Sequence, residues 1–241
     1  MNPILTIDVG NTHPHGGLFD DGVLKAVYPE KQLGKLTREN YFKTVICQVG
    51  KSDKLVRKFK EDALDLQRFK KQGFFLDMPV NYSLSLGDDR LYQAYYIFKK
   101  HVVEKGTILL IDSGTFTTMD IVDGKGFRGG HIFPGLSVFL DCYRRGHRLF
   151  DLKEHEITTS LPELPENTKE AIVESCKLYY IALFERVIRQ YSGIQYVVLT
   201  GGNGLFIRNL LKNLNGNTAI EFAPHLIHYA LYYIARQEYG K

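Results

Sequence analysis

Cysteine is scarce: the 241-residue chain has three, Cys47, Cys142 and Cys176, at long gaps and with no Cys-x-x-Cys pair. An odd count at such spacing argues against a disulfide framework and for a reducing compartment. Long apolar runs are also missing. No stretch approaches the ~18 apolar residues of a membrane helix. The start, Met1 to Asp8, has no basic region ahead of an apolar one, so no secretory signal is expected. An excess of one charge is absent too. With 31 Lys+Arg against 27 Asp+Glu, the net charge of +4 is far from that of a dedicated nucleic-acid binder. The expectation is a soluble, cytoplasmic protein without nucleic-acid or membrane partners. Hydrophobic residues at 44% and charged residues at 24% are ordinary globular usage, which excludes disordered, collagen-like and coiled-coil chains. The length allows one large domain or two small ones.

The pattern that is present alternates strands and helices. Apolar stretches at about 4–9, 15–19 and 23–29, the last two separated by Asp20-Asp21-Gly22, read as consecutive antiparallel strands. Thr44–Val49 reads as a buried strand. Residues 52–66 read as a helix with Leu55, Phe59, Ala63 and Leu64 on one face. Phe74–Leu76 is a short strand, and 88–103 a helix opening at Asp88 or Asp89. Strands then recur at 107–112, 117–122 and 130–133. A long helix follows at 168–191, with Ile172, Cys176, Tyr179, Ala182 and Phe184 as inward candidates. A strand at 196–199, a helix at about 204–213, a strand at 218–222 and a helix at about 225–238 complete the chain. Such alternation predicts an α/β protein.

An internal repeat organises this pattern. Ile4-Leu5-Thr6-Ile7-Asp8-Val9-Gly10 matches Ile108-Leu109-Leu110-Ile111-Asp112-Ser113-Gly114 at five of seven positions, 104 residues later. Each copy opens a run of strands and then turns helical. The period is far too long for a solenoid. It fits a duplicated domain, with two similar halves facing each other across a cleft and a boundary at Glu104-Lys105-Gly106. The expected domains are 1–105 and 106–241.

Both copies end in Asp-x-Gly followed by small hydroxyl or amide residues: Asp8-Val9-Gly10-Asn11-Thr12 and Asp112-Ser113-Gly114-Thr115. Glycine lets the backbone turn sharply and approach a ligand. The amides and hydroxyls after it can donate to phosphate oxygens, and a strand-end Asp can hold a hydrated cation that bridges them. Either loop alone also reads as an ordinary turn; the pair in register reads as a nucleoside triphosphate grip. Gly87-Asp88-Asp89-Arg90 opens a helix. Here an Asp is either an N-cap or a carboxylate that takes a proton from a substrate hydroxyl, with Arg90 orienting the substrate. Gly129–Leu136 and Thr200–Gly204 each end a strand and open a helix; their glycines either pack helix on strand or let an adenine lie flat.

Other patterns carry less. Gly50-Lys51-Ser52 resembles the end of a P-loop, but Val45 occupies the position of its first glycine. Gly124–Gly129 satisfies G-x-G-x-x-G but lies between strands, so it is a hairpin turn. His225 and His228 share a helix without an acidic or Cys partner nearby and read as core or surface histidines. The basic run Lys51, Lys54, Arg57, Lys58, Lys60 reads as a solvated face.

Four motifs in order, Asp-x-Gly-Asn-Thr at 8–12, Gly-x-Asp-Arg at 87–90, Asp-x-Gly-Thr-x-x-Thr-x-Asp at 112–120 and Gly-Gly-x-Ile-x-Pro-Gly at 129–135, resemble type III pantothenate kinase, of the actin-like kinase superfamily. The resemblance implies a duplicated actin-like (ribonuclease H-like) fold with a central mixed sheet in each half. It implies transfer of the ATP γ-phosphoryl group to pantothenate, the first step of coenzyme A biosynthesis. By the same resemblance Asp89 is the catalytic base, and Gly87, Asp88, Asp89, Arg90 and Thr168 bind substrate. Asp8, Val9, Gly10, Asn11, Thr12, His13, His15 and Thr115 bind ATP. Asp112 is the ligand of a monovalent cation, K+ or NH4+, and Mg2+ accompanies the nucleotide. The family is homodimeric through the long helix. Two positions depart from its pattern: His13-Pro14-His15 replaces small polar residues, and Phe116 replaces an alanine. They motivate two alternatives, a non-catalytic transcriptional accessory factor on the same fold and an actin-like kinase with another substrate.

Overall fold

The computed structural model describes residues 3–51, 53–146, 151–157, 164–191, 193–212 and 218–239. They form two compact units. One comprises Met1–Val103, Val122–Gly129 and His225–Lys241; the other comprises Glu104–Ile121 and Gly130–Pro224.

In the first unit, β1 (Ile4–Val9), β2 (His15–Asp20), β3 (Val23–Pro29), β4 (Lys43–Gln48) and β5 (Ala63–Leu64) form a sheet in the order β3-β2-β1-β4-β5. β2 pairs antiparallel with β1 and β3, whereas β1, β4 and β5 run parallel. The β2–β3 turn puts Asp21 at φ 50° and Gly22 at φ 83°, the left-handed pair a tight hairpin needs. β1 is central, so its apolar residues are buried: Leu5, Ile7 and Val9 pack with Leu33, Tyr41, Leu55 and Phe59. Leu33 lies on a one-turn helix, α1 (Glu30–Leu33).

The expected helix over 52–66 is shorter. α2 spans Asp53–Phe59, a 3-10 turn covers Lys60–Asp62, and Ala63–Leu64 become β5, paired with Thr44–Val45. Leu55 and Phe59 are buried as expected. Beyond them the free edge of β4 offers backbone partners, and this ladder overrides the helical spacing of Ala63 and Leu64. A small antiparallel sheet of β6 (Lys70–Lys71), β7 (Phe74–Phe75) and β8 (Met78–Pro79) leads to α3 (Asp88–Lys100), which ends at His101 before a final turn, α4 (Val102–Lys105).

The second sheet comprises β9 (Thr107–Ser113), β10 (Phe116–Asp123), β11 (Gly126–Pro134), β12 (Ile194–Thr200) and β13 (Ala219–Phe222) in the order β11-β10-β9-β12-β13. This repeats the first sheet's order strand for strand. α5 (Leu136–Asp141), α6 (Thr168–Gln190) and α7 (Gly204–Leu211) bury their apolar residues against it. On α6, Ile172, Cys176 and Phe184 are buried as expected and Tyr179 is half-buried, but Ala182 is exposed. The buried stripe runs instead through Val173, Cys176, Tyr180, Phe184 and Val187, at helical spacings of three and four; Ala182 lies between two of its members. α8 (Leu226–Tyr239) belongs to the first unit and packs on β1 and α3. Among the described residues, no helix is long and apolar enough to cross a membrane.

Candidate active site

In the first unit, β1 delivers Asp8 to the strand end. The carbonyl of Val9 accepts N–H groups from Val49 (3.1 Å) and Gly50 (2.8 Å). A Cβ on Gly50 would lie 1.9 Å from the Gly10 carbonyl oxygen, so only glycine lets the two turns close on each other. Gly50, dismissed above as part of a P-loop, thus braces the Asp-x-Gly turn. Asn11, Thr12 and His13 are exposed above it, and Pro14 is buried. His15 Nε2 lies 3.5 Å from Asp8 Oδ2. Behind it His15 Nδ1 meets His228 Nε2 at 2.8 Å, and His228 Nδ1 meets Thr6 Oγ1 at 2.8 Å.

The Gly87–Arg90 segment belongs to the same unit. Gly87 is the N-cap of α3 and makes no side-chain cap bond, and Asp88 and Asp89 occupy the first turn. Asp88 turns to Lys70 Nζ (3.0 Å), which also donates to the Leu86 carbonyl (2.7 Å), and to Gln67. Asp89 Oδ1 instead accepts the first-turn Arg90 N–H (2.8 Å), and a Cβ on Gly87 would stand only 2.7 Å from it. Burial raises the Asp89 pKa above 3.8, against the pull of Arg90. Arg90 is itself 5% exposed, its guanidinium 5.4 Å from the Tyr82 ring centre and 5.8 Å from that of Phe127. Cys47 ties the two segments together. It pairs with Asp8 across β1–β4, and burial together with the charges of Asp8, Asp89 and Asp88 drives its thiol pKa upward. Asp8 and the Gly-x-Asp-Arg acids therefore share one neighbourhood.

The second unit builds its own cluster at the end of β9. Gly201, at φ +83°, approaches Asp112 so closely that a Cβ would stand 2.5 Å from Asp112 Oδ1. The Ser113 carbonyl accepts the Asn203 N–H (2.9 Å), and the Thr115 carbonyl accepts the Gly135 N–H (3.0 Å). Three glycine-bearing turns, far apart in sequence, thus meet at Asp112. Beneath them Ser113 Oγ bonds Thr117 Oγ1 at 2.9 Å, and burial pushes the nearby Tyr180 hydroxyl up to about 12. Phe116 is 47% exposed. Thr168 is exposed at the first turn of α6, next to the Asn167 cap that accepts the Glu170 N–H.

Sequence reasoning named the acids and missed what holds them. Gln67 and Lys70 lie about twenty residues from the acids they hold, Tyr82 and Phe127 sit just outside the motifs at 87–90 and 129–135, and His228, read as a core or surface histidine, is buried. The donors suit the implied cations. Among the described residues no group of three or more His, Cys, Asp or Glu side chains gathers into a metal cage. A single carboxylate supplemented by water and phosphate oxygens is how Mg2+ is usually held. Asp112 Oδ1 lies close to Gly201, and a carboxylate is an oxygen donor of the kind hard cations take.

Comparison with known proteins places the chain. A model of type III pantothenate kinase matches residues 4–190. A type III pantothenate kinase of Legionella pneumophila (strain Corby) is 28% identical over 244 residues, 91% of this chain and 86% of the relative. One of Rhodopirellula baltica is 31% identical over 165 residues, 65% of this chain and 56% of the relative. The chain thus spans little more than half the length of some curated relatives that it matches. Among solved structures, a Baf family transcriptional activator of Campylobacter jejuni superposes with a TM-score of 0.67 at 21% identity, over 98% of this chain and all of the other. Component A of the (R)-2-hydroxyglutaryl-CoA dehydratase of Acidaminococcus fermentans does so at 0.56 and 14%, over the whole of both chains. At such identities the structures establish the fold alone, the actin-like α/β architecture with a mixed sheet in each unit. With three quarters of its residues under one family model, the chain belongs to the type III pantothenate kinase family.

Proposed function

We propose that the protein transfers the γ-phosphoryl group of ATP to the primary alcohol of pantothenate, giving 4′-phosphopantothenate. The observation that carries this reading is the Asp88–Asp89 pair. One acid is neutralised by Lys70; the other is buried, raised in pKa and set beside Arg90 in the unit that also carries the Asp8 loop. A raised pKa makes Asp89 the stronger base, suited to take the hydroxyl proton as the bond to phosphorus forms. Phosphoryl transfer asks little covalent chemistry of a protein, so positioning and charge supply most of the rate.

The remaining roles follow the motifs. Asp8, Val9, Gly10, Asn11, Thr12, His13 and His15 contact the ATP phosphates, and Thr115 touches the nucleotide. Gly87, Asp88, Arg90 and Thr168 bind pantothenate. Mg2+ neutralises phosphate charge when bound, with Asp8 as its protein contact, and Asp112 holds K+ or NH4+. The protein acts in the cytoplasm as a homodimer through α6, whose outer face carries Ala171, Ser175, Leu178 and Ala182, with Leu178 58% exposed.

The test is purified protein with ATP, Mg2+, K+ and pantothenate, product being followed by mass spectrometry. Phosphopantothenate formation is expected. A folded protein that binds both substrates without turnover would favour the accessory-factor reading, which exposed Phe116 motivates. Turnover of a different alcohol in a substrate panel would favour another kinase.

A further inference from the structure

The Gly124–Gly129 stretch, read from sequence as a hairpin turn, does join β10 to β11. Asp123 shapes the turn: its carboxylate accepts the Lys125 N–H (2.7 Å) and faces Arg128 Nε at 3.7 Å. The tip, Val122–Gly129, belongs to the first unit, the one that carries Gly87–Arg90. There it docks against the segment that ends β8. The Phe127 carbonyl accepts the Asn81 N–H (2.9 Å), and Val80 bridges Phe127 in parallel. Gly126, at φ +95°, comes so near that a Cβ would stand 2.0 Å from the Pro79 carbonyl oxygen. Glycine alone permits that approach.

The docking has a chemical consequence. Phe127 is fully buried, and its ring lies edge to face with that of Tyr82, the centres 5.9 Å apart and the planes at 75°. The Arg90 guanidinium sits in the corner between them, 5.8 Å from the Phe127 centre and 5.4 Å from that of Tyr82. Ring faces attract a cation, more strongly where water is excluded, and Arg90 is almost wholly buried. Two rings at a steep angle restrain a planar cation in two directions at once. Tyr82 is 36% exposed, so Phe127 is the inner wall of the corner. An arginine whose plane is already fixed offers its N–H fork in one direction, and less ordering is left to the moment of binding.

We infer that Phe127 is a positioning residue for the acceptor site: docked through Gly126 and Asn81, it holds the Arg90 guanidinium in the orientation that the acceptor meets. The inference rests on the reading of Gly87–Arg90 as the pantothenate site. It gives the glycine-rich hairpin a part in acceptor binding and none in nucleotide binding.

The test uses Phe127→Leu, which keeps an apolar side chain and removes the ring, and Gly126→Ala, which crowds the docking. Gly124→Ala is the control, at an exposed tip position where a Cβ meets nothing within 4 Å. Pantothenate and ATP affinities are measured separately by calorimetry, and steady-state kinetics gives KM and kcat. For Phe127→Leu we expect pantothenate to bind about fivefold more weakly, the size of a desolvated cation–ring contact, with ATP affinity and kcat within about twofold of wild type. Gly126→Ala should show the same split, and Gly124→Ala should match wild type. Because Phe127 acts through Arg90, adding Phe127→Leu to Arg90→Lys should change pantothenate affinity by less than about twofold, whereas independent effects would multiply. A merely structural Phe127 would lower the melting temperature and weaken both substrates together, or neither. The inference is overturned if folded Phe127→Leu binds pantothenate as wild type does, if ATP weakens equally, or if the effect is undiminished beside Arg90→Lys. The same criteria apply to Phe127→Met should the leucine variant not fold. Wild-type protein that binds no pantothenate overturns the inference together with the acceptor-site reading. Wild-type protein that binds pantothenate without phosphorylating it removes only the kinase reading, and the affinities still decide the inference.

Discussion

The Asp88 carboxylate lies 3.0 Å from the Lys70 ammonium, while that of Asp89, one residue on, folds back onto the Arg90 N–H at 2.8 Å. Adjacent acids on a helix point about 100° apart, and here the two directions differ in solvation and partner. Asp88 belongs to a polar cluster with Gln67 and with Lys70, which also donates to the Leu86 carbonyl, whereas Asp89 stays outside it.

Asp89→Asn should lower kcat by roughly 10²–10⁴, the usual range for a lost general base, with ATP KM little changed; Asp88→Asn should do less to kcat and more to pantothenate KM. The raised Asp89 pKa also fixes the sign of two pH effects. Activity should fall as pH drops through that pKa, on an acid limb above the ordinary 3.8. The folded state holds this proton more tightly than the unfolded chain does. Stability is therefore lost as pH rises from 3.8 through the raised value, and ionised Asp89 is a cost at pH 7. Asn removes that cost, so the variant should melt higher than wild type at pH 7 while being nearly inactive. A lower melting point for Asp89→Asn would contradict the assignment of Asp89 as a desolvated base.

Arg90→Lys keeps the charge and loses the plane. The guanidinium lies near the Tyr82 and Phe127 rings, a setting that a compact, strongly hydrated ammonium does not reproduce. Pantothenate KM should rise about tenfold, on the order of 1.4 kcal/mol, with ATP KM unchanged. Steady-state kinetics in both substrates check it, and an unchanged pantothenate KM would remove Arg90 from the acceptor site.

Much of this architecture is legible in the sequence, for a physical reason. β1 and β9 are central strands covered on both faces, so they read as continuous apolar runs that end in an acid, and the repeat between them stands out. The Asp21-Gly22 turn announces its hairpin because few other residues accept positive φ. Local pattern fails where a tertiary partner decides. Ala63 and Leu64 have helical spacing but are claimed by the edge of β4. In the site, the acids are visible because each sits in a motif, whereas Lys70 and His228 act through contacts made across 18 and 213 residues.

The outer face of α6 predicts its own test. Ala171, Ser175, Leu178 and Ala182 are exposed at spacings of three and four residues, a narrow strip where a second helix can approach closely. On the homodimer proposal, Leu178→Asp puts a charge in that seam and should shift the protein to monomer in light scattering at micromolar concentration, with the far-UV spectrum unchanged. A wild type that is already monomeric would refute the proposal.

Gly201 and Gly202 are adjacent and should answer differently to the same substitution. At Gly202 an added Cβ meets nothing within 4 Å, so Gly202→Ala should stay within about 0.5 kcal/mol of wild-type stability. At Gly201 the backbone is at φ +83°, and the new Cβ would stand 2.5 Å from both Asp112 Oδ1 and the Ser113 carbonyl. Left-handed backbone costs alanine about 1–2 kcal/mol, and the overlap adds ~1–3 kcal/mol. Relief requires Asp112 to move. If Asp112 holds K+, the stimulation of activity by K+ over Na+ should therefore vanish in Gly201→Ala, as in Asp112→Ala. Denaturant titration supplies the stability difference, and assays in the two salts supply the cation effect. Full K+ stimulation in a destabilised Gly201→Ala protein would separate Asp112 from the cation.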